Sequence, residues 1–357
     1  MAKYQHAVVS SALLVLCLSR STWQLRADSC ENEKKDGATR PNVVLFFADD
    51  VGYGDLAVYG HPTQEWNRVD KLATEGIRFT QWYSGESVCT PSRAALLTAR
   101  LPVRTGVYGH QRVFLTWMTS GLPKDEVTLG EIFQRAGYST GMVGKWHLGE
   151  KATTWEGGFR VPAIVSWPAK IPPGQVSSAV VTTMDIMPTL ADLIGESMPS
   201  DRVIDGKSIV DILLRGSQTS PHELIYFYCN DRLSAVRYRN HKVHFYTCQE
   251  TTDAEYKEEC PGGVPTDPTW CCKCIDCVGS RFTEHSPPIV FNLIVDPKEI
   301  WPLPPSEALR SLLADVDALV TQHLATVTTV PPLLTDEWRN DDVIPCCEPP
   351  SCECNYP

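Results

Sequence analysis

The hydrophobic pattern of the first two-thirds of the chain alternates between short unbroken apolar runs and runs with helical spacing. Residues 43–48 are all apolar and end at Asp49, which predicts a strand buried on both faces of a parallel sheet. Asn67 precedes apolar residues at helical spacing and predicts a capped helix. Further strands are predicted at 77–83, 138–146 and 161–167, and further helices after Thr128 and over 185–194. Strands that alternate with helices indicate an α/β fold.

The pattern changes near Thr219, where aromatic strands and cysteine-rich loops replace the earlier alternation. The runs LIYFYC and KVHFYTC predict two strands, and Ser306 caps an amphipathic helix. We therefore predict two domains, over 28–218 and 219–357. The second is a smaller α+β domain with a short cysteine-dense tail.

The N-terminal residues carry the pattern of a secretory signal peptide, predicted to occupy 1–27. A short polar start precedes the apolar run 7–18, which is too short for a membrane span, and cleavage is placed between Ser19 and Ala27. A buried helix is the alternative for this run. No later run is long and apolar enough to cross a membrane. These features predict a chain of the secretory pathway, lysosomal or extracellular, without a membrane span.

Composition agrees with that compartment and narrows the range of partners. Fourteen cysteines among 357 residues are typical of an oxidising environment. Setting aside Cys17 with the leader and Cys89 for chemistry leaves an even number, which fits a set of disulfides. The cluster 271–277 could hold zinc, but disulfides are favoured in a secreted chain. The net charge of −11 argues against nucleic-acid binding, yet allows a small anionic substrate in a locally basic site.

The stretch 87–100 combines a reactive side chain with the start of a helix. Thr90 is an N-cap residue type, Pro91 suits the first turn, and the alanines and leucines that follow favour helix. Cys89 is therefore predicted just before the helix, with Arg93 one turn further on. Backbone N–H groups and the helix dipole favour an anion at this end. By itself, Cys89 would more often be part of a disulfide.

This stretch resembles the C-x-P-S-R signature of the sulfatase family. Cys89 and the three residues at 91–93 match the signature position for position, and Ala99 stands where the family usually has glycine. Three more motifs follow the family's order: Asp49-Asp50, 137–149 and 151–158. The likeness runs from residue 41 to the C-terminus and is strongest for the arylsulfatase and steryl-sulfatase branch.

The resemblance implies an alkaline-phosphatase-like α/β core with a mostly parallel sheet, and hydrolysis of sulfate esters. It implies that a formylglycine-generating enzyme converts Cys89 to formylglycine, whose hydrate attacks sulfur. Arg93 would hold the hydrate. Asp49, Asp50 and residue 89 would bind Ca²⁺, although two carboxylates alone are more often a solvated strand end.

The resemblance also assigns residues to the sulfate group of the substrate. Lys145 and Lys151 would bind sulfate oxygens, and His147 would orient or deprotonate the hydrate. Lys145 and His147 are two positions apart on a predicted strand, so they share a face. The substrate would be a small sulfated molecule, with aryl, steroid, lipid and sugar sulfates all left open.

One part of the family pattern is missing. Only three residues separate His147 from Lys151, where the family has a long segment with a second acidic and amide pair for the metal and another histidine. Two alternatives to an active sulfatase follow: a catalytically impaired, truncated sulfatase-like protein, or a metal-dependent phosphatase or phosphodiesterase of the same fold. The second uses serine or threonine as its nucleophile, so C-x-P-S-R argues against it.

Overall fold

The structure is a computed structural model of the 357-residue chain, and it describes residues 14–19, 41–49, 51–110, 113–114, 118–142, 159–248 and 282–340. Two sheets organise these residues: a central sheet from the N-terminal two-thirds and a second sheet from the C-terminal third. Along the described ranges, no helix is long and apolar enough to cross a membrane.

The central sheet has six strands in the order β2-β1-β4-β3-β5, with β6 also paired to β3. It is mixed, because β1–β2 and β3–β4 are antiparallel while the pairings of β1 with β4, and of β3 with β5 and β6, are parallel. The strands are β1 (Leu14–Ser19), β2 (Asn42–Phe47), β3 (Ile77–Tyr83), β4 (Arg160–Ser166), β5 (Gln175–Ser177) and β6 (Val181–Thr182).

Within the described ranges, six short α-helices accompany this sheet, and their ends follow the local sequence. At α1, Asn67 accepts backbone N–H groups while Asp70 returns a bond to Asn67, which is a complete capping box. Thr128 and Glu131 form the same arrangement at α4, as predicted. The helices are α1 (Arg68–Glu75), α2 (Cys89–Thr98), α3 (Pro102–Thr105), α4 (Leu129–Arg135), α5 (Ile186–Ile194) and α6 (Val210–Arg215).

Two strand predictions were wrong in part. Residues 138–142 have no regular structure, and 143–146 lie outside the described residues. β2 is formed, but Val44 is 43% exposed and Phe46 57% exposed, so only one face of the strand is covered. β2 lies at the edge of the sheet, and among the described residues no layer packs over its second face.

The C-terminal third forms an antiparallel sheet with one long helix, which agrees with the predicted α+β unit. The sheet has the order β10-β9-β8-β7, and Ser306 caps the helix by accepting the N–H of Leu309. Its core joins aliphatic residues of the strands to Val316 and Val320 of the helix. The elements are β7 (Leu224–Cys229), β8 (Arg232–Tyr238), β9 (His241–Cys248), β10 (Phe282–Asn292) and α7 (Glu307–Leu324).

A buried ion pair anchors α3 to two segments that are distant from it in the sequence. Arg104 Nε donates to both carboxylate oxygens of Asp205 at 2.9 Å, and the same guanidinium reaches Thr326 just after α7. Asp205 also accepts the N–H of Leu101 at 2.8 Å. Burial raises the pKa of Asp205 despite the positive charge of Arg104 beside it. We call this group the Arg104–Asp205 junction.

Candidate active site

Helix α2 places Cys89 at the start of its first turn. The helix begins at Cys89 itself, and Val88 occupies the N-cap position without a side-chain cap, so the prediction that Thr90 caps the helix was wrong. Thr90 instead accepts the backbone N–H of Phe114 at 3.2 Å. Cys89 is only 5% exposed and packs with Val88 and Val113.

Asp49 meets the first turn of α2 from the end of β2. Its Oδ1 atom lies 3.6 Å from the Cys89 sulfur and accepts a hydrogen bond from Arg93 Nη2 at 3.0 Å. Asp49 and Cys89 are forty positions apart in sequence, so the fold itself assembles this group. The structure therefore brings together three of the residues that the sequence assigns to one site.

Arg93 is held by neighbours that the sequence reasoning did not single out. Its guanidinium carbon lies 5.3 Å from the centre of the Phe47 ring, a cation–π arrangement at the last residue of β2. On the same turn of α2, Ser92 and Ser84 share a hydroxyl hydrogen bond of 2.5 Å. The position of Phe47, two residues before Asp49, was the available signal.

The C-terminal segment braces the loop that packs beside Cys89. The Tyr108 hydroxyl donates to the carbonyl of Val330 at 2.6 Å, and Ser120 donates to Leu333 at 2.6 Å. Between these two anchors, Val113 contacts the cluster around Cys89. Local sequence patterns carry no signal for a contact that spans more than two hundred residues.

The remaining predicted site residues lie outside the described residues. They are Asp50, Lys145, His147 and Lys151. Their roles in metal and sulfate binding therefore stay predictions. Among the described cysteines, the Cys89 thiol is not part of a disulfide, whereas Cys229 is disulfide-bonded.

The number of oxygen ligands near Asp49 decides whether the described residues could hold a calcium ion. Ca²⁺ takes about six to eight oxygen ligands. Within the described ranges, no group of three or more histidine, cysteine, aspartate or glutamate side chains could hold a metal ion. Asp49 supplies one carboxylate, and Arg93 already donates to it. Asp50, the second carboxylate of the predicted pair, lies outside the described residues, and the described residues by themselves supply too few oxygens for Ca²⁺.

Comparison with known proteins identifies the family. Residues 41–152 match the family model described as sulfatase, and 220–354 match the C-terminal region of aryl-sulfatase. In the solved structures, the PsFucS1 sulfatase of Pseudoalteromonas sp. superimposes with a TM-score of 0.62 at 20% identity, covering 78% of this chain and 88% of that one. This likeness establishes the alkaline-phosphatase-like fold of sulfatases.

Two curated relatives extend the match along the chain. A steryl-sulfatase of Rattus norvegicus is 24% identical, with 82% of this chain and 90% of its own length covered. An arylsulfatase of Hemicentrotus pulcherrimus is 33% identical over 495 positions, with 91% of this chain and 88% of its own length covered. The second alignment is longer than the 357-residue chain, so the relative contains segments that this chain lacks. On this similarity, the chain belongs to the sulfatase family of sulfuric ester hydrolases.

Proposed function

We propose that the chain hydrolyses sulfate esters of the arylsulfatase type with an oxygen nucleophile derived from Cys89. The observation that carries this proposal is the meeting of Asp49, Cys89 and Arg93 at the first turn of α2. Formylglycine, once formed at position 89, supplies a hydrated aldehyde that can attack sulfur and later release sulfate. The C-x-P-S-R match supports that modification.

The described side chains hold position 89 and prepare it for an anion. Arg93 is 9% exposed and donates to Asp49 Oδ1, the same atom that lies 3.6 Å from the Cys89 sulfur, so its charge is held near the reacting group. The N–H groups of the first turn and the helix dipole add positive potential at the same place. Preorganised donors of this kind stabilise charge that develops on a transferred sulfuryl group.

The rest of the site is assigned from the family resemblance. We propose that Lys145 and Lys151 bind sulfate oxygens and that His147 orients the nucleophile or takes its proton. Ca²⁺ would be held by Asp49 and Asp50, and weakly, because the described residues supply too few oxygens. The substrate is a small sulfated molecule, and the formylglycine-generating enzyme is the partner during biosynthesis in the secretory pathway.

Co-expression with the formylglycine-generating enzyme tests the nucleophile directly. The tryptic peptide 79–93 contains Cys89 and should be recovered with formylglycine in place of cysteine. Cys89→Ala should remove all hydrolysis of a chromogenic aryl sulfate, whereas Arg215→Lys, a conservative change in an exposed pair with Asp211, should leave it unchanged. Unmodified cysteine in that peptide would overturn the proposal.

A catalytically impaired protein is the second candidate, and the length of the relatives favours it. The chain lacks segments that the Hemicentrotus pulcherrimus arylsulfatase contains, including the expected second half of the metal ligands. Each missing electrostatic stabiliser costs on the order of 10²–10³ in rate. We therefore expect turnover far below that of an intact sulfatase, even with added Ca²⁺. Comparable turnover would show that other residues replace the missing ligands.

A further inference from the structure

A cavity of about 590 Å³ lies at the start of β7, where the C-terminal sheet meets the central sheet. Val180, just before β6, lines one side of it, and Leu319 of α7 lines another. None of Asp49, Cys89 and Arg93 lines this cavity, so it is separate from the candidate active site. Its volume is in the range of pockets that bind small molecules.

A buried arginine lines this cavity. Arg237 of β8 is 2% exposed and is the register partner of Ile225, on a face of the sheet that packs against Tyr83 of β3. Its Nε atom donates to the carbonyl of Arg239 at 3.1 Å. Its Nη1 atom donates to Gln81 Oε1 at 2.5 Å and to the hydroxyl of Tyr83. None of these hydrogen bonds uses the Nη2 atom.

The positive charge of Arg237 has no carboxylate to compensate it. All three acceptors are neutral groups, and in the ranges that the structure describes Arg237 forms no salt bridge. A charge at this depth is normally paired, because the protein interior replaces the water that would otherwise solvate it. Glu223 and Asp315, the acidic residues that line the cavity, are exposed at its edge. The unused Nη2 atom and the adjoining space therefore favour an anionic group from a ligand.

A histidine held by a buried carboxylate lines the same cavity. The Nε2 atom of His222 lies 2.8 and 3.0 Å from the two carboxylate oxygens of Asp185, which is fully buried. Asp185 also accepts the backbone N–H groups of Thr182 and Lys207. Because this carboxylate acts as an acceptor throughout, Nε2 carries the ring proton. In the neutral ring, Nδ1 can then accept a hydrogen bond from a hydroxyl group of a ligand.

We propose that this cavity binds a small hydroxylated organic anion, of the class of sugar acids and sugar phosphates. The oxyanion accepts a hydrogen bond from Arg237 Nη2, and a hydroxyl group of the same molecule donates to His222 Nδ1. Ile225 and Leu319 supply apolar contact for the carbon skeleton, and Arg239, exposed at the edge, adds positive charge. An inorganic ion would fill only a small part of this volume, so the ligand has a body as well as a charge.

Calorimetric titration of the full chain tests the site. Glucuronate and a glucose monophosphate are the charged probes, and glucose is the uncharged control with the same body. At least one charged probe should bind with a millimolar or lower Kd, and glucose should bind at least about tenfold more weakly. The tighter of the two charged probes identifies the oxyanion as a carboxylate or a phosphate. Absence of binding by both would overturn the proposal.

Variants assign the binding to the cavity. Arg237→Met removes the charge and should weaken binding on the order of 10–100-fold, and His222→Gln should weaken it about 3–10-fold. Arg160→Met is the matched control and should leave binding unchanged. Arg160 also donates to a neutral carbonyl, that of Thr80, and its guanidinium lies over the ring of Tyr53 outside the cavity. Equal affinity in Arg237→Met and the parent chain would overturn the proposal.

Urea denaturation separates loss of binding from loss of folding. The tighter charged probe should raise the resistance of the parent chain and of Arg160→Met to urea, and should not raise that of Arg237→Met. If Arg237→Met does not fold, His222→Gln carries the test, and an unchanged affinity in that variant would overturn the proposal.

Neither probe is a sulfate ester, and neither experiment requires conversion of Cys89. A negative result at this cavity therefore leaves the proposed hydrolysis as it stands. An unmodified Cys89 would likewise leave the anion site intact.

Discussion

Two arginine–aspartate pairs, whose arginines lie near each other in the sequence, differ in their surroundings. Arg93 donates to Asp49 at 3.0 Å with side chains 11% and 38% exposed, while Arg104 donates to Asp205 at 2.9 Å with side chains 4% and 9% exposed. Asp205 uses both oxygens and accepts a backbone N–H as well. Asp49 receives Arg93 and the thiol of Cys89 on a single oxygen.

The difference in burial determines which pair contributes to stability and which stays available for chemistry. At the Arg104–Asp205 junction both partners are buried and hydrogen-bonded, so loss of either leaves an uncompensated charge in the interior. At Asp49 solvent screens the pair, and its contribution to the free energy of folding is small. A half-open carboxylate beside a helix N-terminus stays accessible for a ligand, whereas both carboxylate oxygens of Asp205 already accept hydrogen bonds from the protein.

The largest expected effect is on stability and concerns the junction. Asp205→Ala should lower the free energy of unfolding by about 3–5 kcal/mol, because Arg104 would remain buried without its partner. Asp49→Ala should lower it by about 0–1 kcal/mol. Urea denaturation of both variants measures the two values. Similar losses in both would remove the contrast between the pairs.

The next largest expected effect is on catalysis, and it concerns the pair of Arg93 and Asp49 rather than the junction. In the chain carrying formylglycine, Asp49→Ala should lower kcat/KM for an aryl sulfate on the order of 10²–10³-fold, because it releases Arg93 and the group at position 89. Asp201→Ala is the control, since Asp201 is exposed and pairs with Arg202 away from the site. An unchanged rate in Asp49→Ala would assign Asp49 a merely structural role.

A smaller expected effect is a pH dependence of stability, which arises from His323 near Arg104. Burial and the charge of Arg104 lower the pKa of His323 to about 4, and its ring stacks on Tyr226 beside a cavity of about 200 Å³. The unfolded chain takes up this proton first, so the stability that His323 contributes is complete above about pH 6.5 and is lost as pH falls towards 4.

Between pH 7 and 5 that loss should be on the order of 1 kcal/mol, after allowance for solvent screening through the cavity. His323→Gln keeps a polar partner for Tyr228 and removes the titration. Denaturant unfolding at both pH values should show a shallower decline in the variant than in the parent chain. An identical decline would mean that the pKa of His323 does not differ between the folded and the unfolded chain.

The smallest expected effect concerns Ala99, which lies between Arg93 and Arg104 in the sequence. Ala99 ends α2 with φ 57°, in the left-handed region that favours glycine. Ala99→Gly should therefore raise the free energy of unfolding by about 0.5–1 kcal/mol. Ala95→Gly, inside the same helix, should lower it by at least about 1 kcal/mol. Thermal unfolding of the two variants should shift in opposite directions.

The fold was predictable where a local signal and its tertiary surroundings agree. β3 occupies the predicted range 77–83, and Asn67, Thr128 and Ser306 each cap a helix as expected, because a cap depends on the next three residues alone. The covering of β2 was not predictable, since an apolar run does not tell which layers pack on each face. The strand paired with β2 is β1, which comes from the segment that the sequence predicts as a signal peptide.

The site was predictable through its motif rather than through its geometry. The signature assigned Cys89 and Arg93, and the resemblance assigned Asp49, but no local pattern brings together residues forty positions apart. Phe47 and Ser84 escaped because their part in the site depends on three-dimensional contact with α2. Ala99 was noticed as a departure from the family, and its left-handed backbone explains the usual glycine.

The burial of Cys89 bears on when it could be modified. A modifying enzyme must draw its target into its own active site, and the first residue of a closed helix, only 5% exposed, is out of reach. If Cys89 is converted as proposed, the conversion has to precede the closing of α2. We therefore expect slower folding of the N-terminal half to raise the fraction of converted chains.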